Sequence, residues 1–159
     1  MMTAGQANKT LGFTLIELLV SLAVLVVIVT LAVPSYQGMA ERERGVTAAN
    51  NALSAIRHAR SFAITHRVDG VSVQLGGDQG WPVTVSDPRE DPPEEIFRRE
   101  RNHGSTSLAW VGDGNLEFGI LGRAGDGDEL CVSVGGSVRY KVTIQSSGRA
   151  SIEEGSDGC

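Results

Sequence analysis

Positive charge is scarce in this chain: 14 lysines and arginines stand against 19 aspartates and glutamates, for a net charge of −5. Such a balance offers no global attraction to nucleic acid or anionic lipid, so binding of either needs a local basic patch. Cysteine is scarcer, with two in 159 residues. Cys131 and Cys159 fit no zinc-ligand spacing and have no histidine beside them in sequence. The histidines, His58, His66 and His103, are dispersed; His58 and His66 can share a helix face but supply too few ligands for a metal site. No nucleophile elbow and no paired-carboxylate context stands out. The chain therefore reads as a non-enzyme with no cofactor and no metal. No internal repeat is visible.

Charge is missing altogether from residues 18–33. With residues 13–16 the apolar stretch reaches about 21 residues, roughly 30 Å of helix at ~1.5 Å per residue, enough to cross a hydrocarbon core. Glu17 interrupts it near its start. Three readings compete. A cleaved secretory signal could end near Gly38-Met39-Ala40, but its apolar core would be too long and would contain a glutamate. A plain single-span anchor explains the length and leaves Glu17 unexplained. The third reading places processing before the apolar run, at Gly12-Phe13, and keeps the helix.

The string GFTLIELLVSLAVLVVIVTLAVPSY, which carries that junction, resembles the amino terminus of type IV pilins and type II secretion pseudopilins. The resemblance implies that residues 1–12 are a leader, that a prepilin peptidase cuts on the cytoplasmic side after Gly12, and that Phe13 is N-methylated. Glu17 then acquires a role. A carboxylate facing lipid costs about 2–3 kcal/mol even on lenient insertion scales, so it needs a cation. After cleavage the nearest is the α-amino group of Phe13, on the same or an adjacent subunit. Glu17 is thereby expected to set register as a subunit enters a filament.

Beyond the apolar run, Pro34 should kink the helix, which resumes because Val46, Ala49, Leu53, Ile56 and Ala63 fall at helical spacing. One long helix is expected over residues 13–66, with 13–33 transmembrane and 34–66 amphipathic. From residue 67 to 159 the period changes. GVSVQLGG, WPVTVSD, EEIFRRE, SLAWVG, NLEFGI, ELCVSVGG, VRYKVTIQSSG and RASIEE are short runs punctuated mostly by Gly, Asp, Asn or Pro. They predict a small antiparallel β domain of about six to eight strands packed on the second half of the helix, an α+β fold. The stretch SDPREDPPEE reads as a disordered loop.

The tail LEFGILGRAGDGDELCVSVGGSVRYKVTIQSSGRASIEEGSDGC resembles the closing segment of the GspH/FimT family of minor pseudopilins and minor pilins, with Phe118, Gly122, Gly148, Arg149 and Cys159 at matching places. RHARSFAITHR, at the end of the helix, is similar to that family too. Some pilus-associated members bind DNA through a Gly-Arg-x-Arg pattern, but here Gly148-Arg149-Ala150-Ser151 lacks the second arginine and Glu153, Glu154 and Asp157 follow. Arg98, Arg99 and Arg101 form a DNA patch only if the fold brings them to Arg149; otherwise these charges dress a solvated strand edge. Asp126, Asp128 and Glu129 invite a calcium reading, yet the EF-hand spacing is absent and an Asp-Gly hairpin turn accounts for them better. Cys131 and Cys159 read as a disulfide if the domain is exported and as two thiols otherwise.

The resemblance implies a minor pseudopilin of a type II secretion system. The alternative is a FimT-like minor pilin of a type IV pilus, engaged in pilus biogenesis or DNA uptake. The expected placement is a single pass of the inner membrane, with the amino terminus cytoplasmic and the carboxy-terminal domain periplasmic. Expected partners are other pseudopilins or pilins, the prepilin peptidase, secreted protein cargo and, less favoured, DNA. Replacing Glu17 by alanine or valine should leave membrane insertion intact and abolish incorporation into filaments, as read by membrane fractionation beside sheared-filament blots. Normal incorporation of the variant would sink the register role.

Overall fold

A computed structural model describes residues 13–112, 114, 116–125, 128–155 and 159. The chain divides into two compact units, Met1–Gly38 and Met39–Cys159, and helix α1, Leu15–His66, runs through residues of both. In the first unit α1 is apolar on every side. Each large hydrophobic side chain from Phe13 to Leu31 is exposed, the most covered being Val29 at 47%. A helix that is hydrophobic all round is stable only in an apolar surrounding, which membrane or neighbouring helices supply.

The second unit contains eight strands, all paired antiparallel: β1 (Val71–Asp78), β2 (Trp81–Asp87), β3 (Glu94–Arg99), β4 (Thr106–Val111), β5 (Leu116–Phe118), β6 (Asp128–Val134), β7 (Ser137–Ile144) and β8 (Ala150–Glu154). They form two four-stranded sheets, ordered β3-β2-β1-β5 and β4-β6-β7-β8. Period-two alternation sets the inner faces: Val73 lies opposite Val85, and Leu130 opposite Val142, all four buried. Both inner faces and the second half of α1 share one core.

The face that α1 gives to this core is built of alanines. Ala48, Ala49, Ala52, Ala55, Ala59 and Ala63 are buried with Leu53 and Ile56. Short side chains let the sheets approach the helix closely, and Gly45 continues the theme: a Cβ there would meet the Tyr140 ring at 2.6 Å. Val46, expected on the apolar face, sits at the rim of this stripe and stays 40% exposed.

Two loop expectations change. SDPREDPPEE is the β2–β3 connection with an internal anchor, because Ser86 and Asp87 are buried at the end of β2. The Asp87 carboxylate accepts from the Arg89 backbone N–H at 3.0 Å and from its guanidinium Nε at 3.0 Å. These bonds from Arg89 hold the Asp87 carboxyl below the usual carboxylate range. Composition marked the segment as polar surface, whereas a carboxylate paired two residues from its partner organises it. Of the GDGDEL stretch, Asp128, Glu129 and Leu130 begin β6 and form no hairpin with β5: β5 pairs with β1 in one sheet, while β6 pairs with β4 and β7 in the other.

A disulfide joins Cys131 to Cys159 across 28 residues, with Cα atoms 5.9 Å apart. It ties the chain end to β6, and of the two cysteine readings the oxidised pair is the one realised. On the chain-entropy relation a loop of this length contributes about 3–4 kcal/mol. Cys159→Ser in the full-length protein in micelles should therefore lower the stability of the β domain by about that amount, read as a shift of the urea midpoint. An unchanged midpoint would show that the bond adds nothing.

Candidate functional site

Gly12 and the rest of the expected leader lie outside the described residues. Phe13 is 81% exposed, and Thr14 caps α1: its Oγ1 accepts from the Glu17 backbone N–H at 3.3 Å, and its carbonyl accepts from Leu18 at 3.2 Å. Thr14 and Glu17 thus occupy the N-cap and N3 places of a capping box. Thr-x-x-Glu before an apolar run is the sequence signal for that cap. Glu17 also lies at the positive end of the helix dipole, which favours a carboxylate there. Among the described residues its carboxylate pairs with no cation. Pro34 falls inside α1.

The four arginines considered for DNA do not converge. Arg98 and Arg99 end β3, the outer strand of the first sheet, and Arg101 follows them. Each is engaged locally: Arg98 with Glu95 at 3.2 Å and Glu100 at 2.5 Å, and Arg101 with Asp78 and, at 2.8 Å, Gln79. Arg99 lies 4.5 Å over the Phe97 ring and donates to Ser54 Oγ at 3.3 Å. The carboxylates of Glu95, Glu100 and Asp78 take up charge on Arg98 and Arg101 that a phosphate would need. Arg149 stands apart, between β7 and β8 of the second sheet.

Its companions come from α1. Arg57, Arg60, Ser61, Ile64, Arg149 and Ile152 line an open cleft of about 670 Å³ between the helix and β8. Arg60 is fixed: its Nε donates to the Gly122 carbonyl at 3.1 Å, and Nη2 to the Ser147 carbonyl at 3.2 Å. Arg57 and Arg149 are exposed. None of the three pairs with a carboxylate among the described residues. Arg57 and Arg60 were missed as site residues, although their three-residue spacing on an amphipathic helix places them on one side. Part of the acidic tail is already neutralised, since Glu154 accepts from Arg42 at 2.7 Å.

Residues 48–148 match the family model described as type II transport protein GspH. The chain belongs to the GspH family. Residues 7–33 match the prokaryotic N-terminal methylation motif. Two crystal forms of the type IV minor pilin FimU from Pseudomonas aeruginosa share the fold. One has a TM-score of 0.62 at 17% identity, over 72% of this chain and 92% of that one. The other has 0.55 at 16%, over 67% and 90%. At such identity the likeness speaks for the fold alone. No curated protein sequence matches the chain. Family and motif together make it a membrane-anchored, pilin-like structural subunit, processed as a prepilin and assembled with other pilin-like subunits.

The glycines matched to the GspH/FimT tail have a physical purpose here. Gly148 turns the chain from β7 to β8 with φ +76°, and a Cβ on it would lie 1.9 Å from the Gly122 carbonyl oxygen. That contact is where Arg60 is received, so Gly148 shapes one wall of the cleft. His58 is half-buried and stacked on Phe97 with ring centroids 4.4 Å apart. Burial, then the nearby Arg99 charge, push its imidazole below the ordinary range. Of the calcium candidates, Asp126 lies outside the described residues, and Glu129 is engaged by Lys141 at 3.1 Å.

Gly148→Ala should cost about 2–4 kcal/mol, from a left-handed backbone and a forced contact together. Gly136→Ala, also at positive φ but with open space around it, should cost about 1 kcal/mol. Urea midpoints of the two variants in micelles make the comparison; equal losses would mean that the approach to Gly122 carries no constraint.

Proposed function

We propose that the chain is a minor pseudopilin of a type II secretion system. It is cut after Gly12, methylated at Phe13 and held in the inner membrane by residues 13–33, with its β domain in the periplasm. Glu17 pairs with a free α-amino group as the subunit enters the pseudopilus, and Pro34 bends the helix where it leaves the lipid. The function is packing: the apolar helix bundles with its neighbours while the β domain meets subunits or secreted cargo. The observation that carries this reading is the match of the β domain itself to a family described as type II transport protein GspH. The engagement of Arg98, Arg99 and Arg101 by local partners supports it, as does Ser151 where a second arginine would stand.

One observation favours the second reading, a type IV minor pilin engaged in DNA uptake: Arg57, Arg60 and Arg149 line one cleft. Phosphate binding through several cations loses affinity steeply with salt, and that distinguishes the two. Full-length protein in nanodiscs should show no binding of duplex DNA that falls with salt and depends on Arg149, tested with Arg149→Ala. Cells lacking the protein should lose secretion of exoproteins and keep their uptake of DNA. The reverse pattern would assign the chain to the pilus.

A further inference from the structure

Strand β8 is the outer strand of its sheet, and β7 is its one strand partner among the described residues. Its register shows which backbone groups stay open. Gln145 N–H donates to the Arg149 carbonyl at 2.9 Å, and Gly155 N–H to the Arg139 carbonyl at 3.1 Å. Both pairs continue the register in which Thr143 faces Ser151 and Lys141 faces Glu153. Hydrogen-bonded and non-hydrogen-bonded pairs alternate in an antiparallel ladder. Ser151 and Glu153 therefore turn their N–H and C=O towards β7, while Ala150, Ile152 and Glu154 turn theirs outward. No described residue bonds to those outward groups.

The same three residues lie opposite Ile144, Val142 and Tyr140, all buried in the core, so their side chains share the face turned to α1. The Arg42–Glu154 pair, at 2.7 Å, bears this out. The cleft opens beside this edge, walled by Arg57, Arg60 and Ile64 from the helix and by β8 itself. Its side walls carry guanidinium groups without carboxylate partners, and Ile64, 46% exposed, together with Ile152, gives it an apolar part. Cys159 is bonded to Cys131 on β6, two strands inward from β8.

An open row of strand hydrogen bonds beside unpaired arginines specifies an occupant. We infer that the groove between α1 and the edge of β8 receives an extended acidic segment of another protein, which joins the sheet as a further antiparallel strand. Main-chain bonds to Ala150, Ile152 and Glu154 hold the segment, and side chains at alternate positions face the helix. Carboxylates at those positions meet Arg57 and Arg60, the cations that the helix contributes to the cleft, and an aliphatic side chain between them packs on Ile64 and Ile152. The inference goes beyond the choice of machine, since it rests on the β8 edge and the cleft alone.

The test uses full-length protein in nanodiscs and a fluorescent peptide, Thr-Glu-Thr-Val-Thr-Glu-Thr, read by anisotropy. Its Glu, Val and Glu are the residues that would face α1 and donate to β8. N-methylation of the Val nitrogen should weaken binding about tenfold, the loss expected for a strand hydrogen bond and its crowded neighbours. Lysine in place of both glutamates should abolish binding, and Arg57→Ala should weaken it by about tenfold, as for a charge-assisted contact. The methylated and lysine peptides leave the protein untouched, so a folding defect cannot imitate their effect. Absence of peptide binding, equal affinity for the methylated and unmethylated peptides, equal affinity for the glutamate and lysine peptides, or displacement of the peptide by a single-stranded oligonucleotide at lower concentration would each overturn the inference.

Discussion

Everything in the β domain depends on how closely two sheets can approach one helix. The buried stripe of α1 is mostly alanine from Ala48 to Ala63, and at Gly45 even the β-carbon is gone, in favour of the Tyr140 ring. Alanine surrenders hydrophobic area per residue but loses no side-chain entropy on burial, and it admits both inner faces to a single core. Larger apolar side chains come from the sheets: Phe118, Leu116, Leu130 and Ile144 are among the largest fully buried. The helix is the flat surface and the strands supply the bulk.

That close approach leaves characteristic features at its margins. On one side β3 meets the helix through aromatic stacking, His58 on Phe97, with Arg99 over the same ring. On the other, Arg60 reaches across to the Gly122 and Ser147 carbonyls, which capture its guanidinium without a carboxylate. The first margin is closed by rings. The second stays open, and it holds the cleft and the free edge of β8. Surface ion pairs such as Arg139–Glu41, at 3.3 Å, add little at these exposures; packing of the small-residue stripe does most of the joining.

The apolar first unit obeys a different constraint. Its large hydrophobic side chains from Phe13 to Leu31 are all exposed. A structural subunit can use that deficit, because neighbouring helices complete in the filament what lipid completes in the membrane. Glu17 and Thr14 stand at the start of this helix with a local capping role, which is compatible with a second, intermolecular one.

Much of this was legible in the sequence. The apolar run, the helix to His66 and all eight strand segments follow from periodicity and glycine punctuation, because those signals are local: each residue's neighbours in sequence decide them. The methylation motif is legible for the same reason, being a contiguous string. What the sequence left undecided was long-range. That β5 and β6 belong to different sheets depends on pairings with β1, β4 and β7. That Arg98, Arg99 and Arg101 are taken up by Glu95, Glu100, Phe97 and Asp78 while Arg149 joins Arg57 and Arg60 depends on where two sheets place their outer strands. Local chemistry determined which elements form; only the tertiary structure decided which charges are neutralised, which strand edge stays open and what stands beside it, since burial and hydrogen-bond satisfaction are settled by residues far apart in the chain.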